Sequence, residues 1–250
     1  MKLSHVFAMI AAFALAACGQ PANTQHEGGG HGPAASTDPA REDADFAMRL
    51  ALIEGHLAVG RELIEAGRTQ DALPHFGHPV RELYSDMLPV IARRGGQQFD
   101  RDLVGLEGLA ASQGNSETFR TAFDAALAKV RAARALIAQE KWDSDAFTLG
   151  IVVDTAGVAA QEYRNALVAG RLDSLIEYHD TRGFIFYLSD LLASHHGSDP
   201  RLAQATTTIA ELRTYVEPLT PPNPPRATDL QFEEKVAALR TLMDAQPPAQ

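Results

Sequence analysis

The stretch "LPHFGHPVRELYSD", residues 73–86, sets His75 and His78 three residues apart between Pro74 and Pro79, with Glu82 one turn further on. Imidazole nitrogen and carboxylate oxygen together suit iron, zinc or copper, so the chemistry this pattern points to is metal binding. Two histidines do not complete a coordination sphere, and the rest of the chain has to supply more ligands. A second stretch, "EYHDTRG", brings Glu177, Tyr178, His179, Asp180 and Arg182 within six residues. It reads as a ligand groove of mixed charge, and the alternative is a solvated helix face. Other candidates are weaker. Glu54 and His56 are two apart and do not share a helix face. His195 and His196 precede Gly197, where imidazole suits a helix C-terminus. Asp154 sits in an apolar run and reads as a buried carboxylate.

Helical periodicity positions these residues. "FAMRLALIEGHLAVGRELIEAG" puts Leu50, Ile53, Leu57 and Ile64 on one stripe, with Gly67 as C-cap. A second helix starts near Thr69, is interrupted at "PHFGHP", and resumes at Pro79. A third covers about Phe99 to Ala111, and a fourth runs from Glu117 to Gln139. After "KWDSD" the series starts again. One helix ends at Gly170, a second follows from Arg171, a third is opened by Asp199 and Pro200, and the last follows "TPPNPP". No alternating run demands a strand. The fold class expected is all-α, two similar four-helix bundles at 44–140 and 141–246.

The halves can be laid over one another. At an offset of 103, Arg61 falls on Arg164 and Ala66-Gly67-Arg68 on Ala169-Gly170-Arg171. At 104, His75 meets His179, Ser85-Asp86 meets Ser189-Asp190, and Glu107 meets Glu211. Internal duplication follows, and with it a two-fold metal set of His75, His179, Glu107 and Glu211. The alternative is four unrelated surface or capping residues. His78 has no counterpart and reads as a cap of the resumed helix. The interruption at Gly77 and Pro79 spoils its i, i+3 geometry with His75.

A long helix, a turn after an "AG" pair, and "AGRTQDALPHFGHPVRELYSD" resemble the imelysin family over residues 44–245. The resemblance implies an all-helical protein of two related bundles, periplasmic or lipid-anchored, associated with iron or other metal uptake. A metal transporter or a TonB-dependent receptor is the partner it implies. The hallmark of that family is Gly-x-His-x-x-Glu. The matching stretch here, "DLVGLEGL", keeps Glu107 but has Val104 in the place of the histidine.

The N-terminal residues address the compartment. Lys2 precedes the apolar "VFAMIAAFALAA", too short to span a bilayer comfortably, and "LAAC" closes it. Residues 1–17 read as a signal peptide, and Leu15 to Cys18 resemble a bacterial lipobox. Acylated Cys18 is then the membrane anchor, and Gly19 in place of Asp favours the outer membrane, on its periplasmic side. Cys18 is the only cysteine, so no intramolecular disulfide forms. Residues 18–43, rich in Gly, Pro and polar side chains, read as a flexible tether carrying His26 and His31. The net charge of −10 argues against nucleic acid and suits a cationic ligand. There is no His-Glu-x-x-His, no Gly-x-Ser-x-Gly and no phosphate-binding glycine loop, so the chain does not read as an enzyme.

Overall fold

The structure, a computed structural model, describes residues 38–244. The expected signal peptide, Cys18, His26 and His31 lie outside the described residues. The first helix, α1 (Pro39–Glu65), begins five residues inside the segment expected to be tether. "TDPARED" carries a helix-start signal, with proline at the first turn followed by acidic residues. Those acids are also anchored: Glu42 pairs with Arg93 and with Arg94 at 2.9 Å, and Asp43 pairs with Arg94 at 2.5 Å and with Lys141.

After the Gly67 turn comes α2 (Thr69–His78), which does not break at its prolines. It passes through one wide π-helical turn at Pro79–Tyr84 into α3 (Ser85–Arg93). Proline has no N–H to return to the carbonyl four residues back, and here that carbonyl belongs to His75. A π turn absorbs the mismatch without ending the rod, and such turns are frequent at functional sites. Then follow α4 (Asp100–Gln113), α5 (Glu117–Ala132), a 3₁₀ turn and the short α6 (Gln139–Trp142). The second series is α7 (Asp145–Asn165), α8 (Leu175–Ser194), α9 (Pro200–Tyr215) and α10 (Asp229–Asp244). No described helix is long and apolar enough to cross a membrane.

The fold is all-α apart from one feature the periodicity missed. Leu167–Val168 pairs antiparallel with Arg171–Leu172 across Ala169 and Gly170, both at positive φ (49° and 72°). Two consecutive left-handed residues make the turn that matches strand twist, so "AG" here closes a tiny hairpin between α7 and α8. At Ala66-Gly67 the same dipeptide ends a helix instead: Arg68 N–H returns to Leu63 O at 2.8 Å. The two "AGR" copies therefore have different local structures.

The core explains which helices sit at the centre. Phe46 to Met48 and Leu50 to Ile53 of α1 are all buried, and so is Tyr178 to Ile185 of α8. A helix with apolar residues on every face must be largely enclosed, and the polar residues it carries are then buried with it. Accordingly α1 and α8 pack chiefly on each other, with α2, α5 and α7 also against α1, and α7 and α9 against α8. Outside these, α4 packs on α2 and α5, and α10 packs on α7 and α9. A two-fold relation between the halves would match α1 on α8 with an equally extensive packing of α7 on α2. That packing is not among the principal helix contacts. The helix order repeats as expected, but the packing between the halves does not.

Glycine sets the closeness of the α1–α8 crossing. A Cβ on Gly183 would lie 2.3 Å from the Gly55 carbonyl oxygen, and one on Gly55 would lie 2.8 Å from Phe184 Cδ1. Gly60 does the same for α2, since a Cβ there would meet the Phe76 ring at 2.8 Å and His75 Cβ at 3.3 Å.

Candidate metal centre

These close approaches converge on Asp180, one turn before Gly183 on α8. Its side chain is fully buried, as are those of His56 on α1 and His75 on α2. Asp180 Oδ1 accepts a hydrogen bond from His75 Nδ1 at 2.7 Å, and His56 Nδ1 stands 2.6 Å from the same oxygen. His78 Nδ1 is 3.7 Å from Oδ2, and its side chain is 18 % exposed where the other three are at 0 %. The His78 ring lies 6.1 Å from that of His56 and 6.5 Å from that of His75. One ligand atom from each of His56, His75 and Asp180 falls within 4.8 Å of the others.

The electrostatics are mutual. Burial opposes ionisation of Asp180, but the imidazoles of His56 and His75 outweigh it and hold the carboxyl well below its usual range. Burial holds His56 down despite Asp180, so its ring stays neutral. At His78 burial acts in the same sense, but Asp180 and Glu82 overcome it and the net shift is upward. An ionised carboxylate beside a neutral imidazole is the protonation state a metal ion requires. His75 Nε2 and Asp180 Oδ2 are buried and have no hydrogen-bond partner, a condition that buried polar atoms seldom keep without a reason.

The expected ligands divide. His75 is in the cluster, and the His179 ring stands 5.7 Å from it, so the two matched histidines do come together. His179, however, donates Nε2–H to the Leu219 carbonyl at 3.0 Å, and burial lowers its pKa to about 4. Glu107 lies 3.7 Å from Arg81, and Glu211 pairs with Lys235 at 2.6 Å on exposed α9. Neither glutamate reaches the histidines, because the set assumed a two-fold axis that the packing lacks. His78 is no mere cap: the helix stays intact through Gly77, so His75 and His78 keep their i, i+3 spacing and both face Asp180.

The "EYHDTRG" groove is also corrected, since most of the stretch is interior. Tyr178 donates to Pro218 O at 2.8 Å, and Arg182 pairs with Glu62 (2.6 and 3.1 Å) while donating to the carbonyls of Val216 and Glu217. With Leu219 on His179, these bonds clamp the loop after α9 over α8. Glu177 is half-buried in the first turn of α8, its N–H on the Ser174 cap at 3.4 Å. Of the predicted groove residues only Asp180 faces the cluster. Spacing along α1 pairs His56 with no ligand, since its near neighbour Glu54 faces Arg131 at 3.0 Å, and its partners come from α2 and α8. The usable signal was Gly55-His56 and Gly60, glycines flanking a polar residue on an apolar helix. His195 caps α8 as expected and binds Asp145 at 2.7 Å, whereas Asp154 reaches solvent on α7, although the packing around it still raises its carboxyl pKa.

Compared with known protein families, curated proteins and solved structures, the chain finds no match.

Proposed function

We propose that this chain binds a transition-metal ion, iron, zinc or copper, at His56, His75 and Asp180, and that it serves as a metal-handling accessory protein of the cell envelope. The observation that carries the reading is the convergence of three fully buried ligand groups from three helices. Ionised groups are seldom buried without a charge partner, and a cation between one carboxylate and neutral imidazoles balances the charge. His78, the one described histidine at the cluster with solvent access, has its Nδ1 3.7 Å from Asp180 Oδ2, on the side from which an ion would enter. The imelysin-like stretch, the lipobox and the acidic surface support the envelope location, lipid anchoring through Cys18 and delivery to a transporter or receptor.

A second reading rests on distance. Ligand atoms sharing a tetrahedral ion at about 2.0–2.1 Å stand roughly 3.3 Å apart, whereas the nitrogens here are 2.6 and 2.7 Å from Oδ1, which is hydrogen-bond spacing. In that reading Asp180 is a metal-free hub tying α1 and α2 to α8, and the protein is a helical scaffold that docks an envelope partner. Elemental analysis and titration with Zn²⁺, Fe²⁺ and Cu²⁺ of untagged protein separate the two. One ion per chain, lost in His75→Ala and Asp180→Ala, supports the metal reading. A folded wild type that takes up none of the three ions rejects it in favour of the hub.

A further inference from the structure

On α1, Glu54, Ala58 and Arg61 lie on the face opposite His56 and Gly60. There α1, α5 and α8 leave a cleft of about 470 Å³, a size typical of small-molecule sites. Its lining sets the guanidinium groups of Arg61, Arg131 and Arg134 around Phe123, Phe186 and Tyr187. Three arginines on one concave surface run against a net charge of −10. Two carboxylates also line the cleft. Glu54 is taken up by Arg131 at 3.0 Å, which leaves Arg61 and Arg134 facing Asp190 and an excess of one positive charge.

The arginines are held in place largely by rings. Arg134 stacks 4.1 Å from the Trp142 ring, hydrogen-bonds the Tyr187 side chain, and pairs with no carboxylate among the described residues, so part of its donor fork stays available. Arg61 lies 5.1 Å from the Phe123 ring, and the carboxylate it pairs with among the described residues, Glu65 at 3.8 Å, is outside the cleft. Phe186 is itself flanked by Arg182 at 3.9 Å and Arg213 at 4.0 Å. A guanidinium stacked on a ring keeps its edge N–H donors free, and that fork matches a carboxylate.

We propose that this cleft binds a small aromatic monocarboxylate, with Arg134 and Arg61 on the carboxylate and the half-buried Phe186 and Leu127 against the ring. Asp190 on the same wall disfavours a second negative charge. The site is independent of the metal centre, being built on the far face of α1.

The probe is 2-naphthoate, titrated calorimetrically into the full-length protein, with uncharged 2-naphthamide as its neutral counterpart. The expected result is one naphthoate per chain, naphthamide at least tenfold weaker, and about a tenfold loss of naphthoate affinity in Arg134→Gln. Gly150→Ala, on the open face of α7 and away from the cleft, should bind naphthoate as the wild type does. Should Arg134→Gln fail to fold, Arg61→Gln, at a position nearly half exposed, is expected to show the same loss. Equal affinity for the two probes, no binding of naphthoate by folded wild type, or full affinity in both arginine variants would overturn the proposal.

Discussion

Substituting Gly183 by alanine tests whether the glycine crossing is what builds the cluster. The added methyl would sit 2.3 Å from Gly55 O and 2.9 Å from Gly55 C, and both obstacles are backbone. Restoring ordinary contact of ~3.5 Å requires α1 and α8 to part by roughly 1 Å. The same displacement acts on the 2.6 Å approach of His56 to Asp180, which spans the same pair of helices. Overpacking of this kind costs about 1–3 kcal/mol, and weakening a buried hydrogen bond to a carboxylate adds about 1.5–3 kcal/mol, so a loss of roughly 3–5 kcal/mol is expected. For a folded region of this size that is a fall in Tm of about 6–20 °C. The comparison is Gly150→Ala on α7, where a Cβ meets nothing within 4 Å. Alanine should there stabilise by about 0.5–1 kcal/mol through helix propensity alone. Urea unfolding followed by circular dichroism measures both variants. If Gly183→Ala lies within 0.5 kcal/mol of wild type, the helices have slack at the crossing and the positioning argument fails.

Four further outcomes are expected. His179 and His56 are held neutral by burial, so below the ordinary histidine pKa the unfolded chain binds more protons than the folded one. Metal-free stability is therefore full above about pH 6.5 and declines toward pH 4, by up to about 3 kcal/mol from His179 alone. The raised pKa of His78 acts oppositely, so the test is whether His179→Gln flattens the acid limb; an unaltered limb assigns the loss elsewhere. His78→Ala should slow metal loading in stopped-flow mixing while titration still shows one ion bound, and an unchanged rate would deny it a role between solvent and the buried trio. Glu107→Gln and Glu211→Gln should keep wild-type metal affinity, because each carboxylate pairs with a surface cation instead; a large loss in either would contradict the placement described above. Cys18→Ser should move the protein from the membrane fraction to the soluble periplasm, and retention on the membrane would remove the lipid anchor.

Local chemistry made most of the fold legible. The N-caps Ser116, Ser144, Ser174 and Asp199 stand immediately before α5, α7, α8 and α9. Apolar spacing found the long helices, though α5 ends at Ala132 rather than Gln139 and α7 at Asn165 rather than Gly170. Errors fell where one residue type serves two local structures. Ala-Gly ends a helix at residue 67 but closes a hairpin at residue 170, and only the wider packing selects between them. Pro79 reads as a break because it removes a hydrogen bond, yet burial of Leu83, Tyr84 and Met87 on the following turn keeps the rod continuous.

The metal candidates show where sequence spacing stops carrying information. His75 and His179 were matched across the two series, and they do lie in neighbouring positions. Symmetry then proposed Glu107 and Glu211 as their carboxylates, but symmetry at the level of helix order does not fix how two bundles meet. What fixes the meeting is the Gly55–Gly183 contact, a feature of zero side-chain volume that carries no periodic signal of its own. Once α1 crosses α8 there, the residue one turn before Gly183 and the residue beside Gly55 must face a common space. Those residues are Asp180 and His56. Gly60 brings α2 close enough for His75 to enter the same space, and the intact helix carries His78 with it. A search for ligands along such a chain is therefore better begun from glycines on fully apolar helices, and from the polar residues within a turn of them, than from the histidine motif itself.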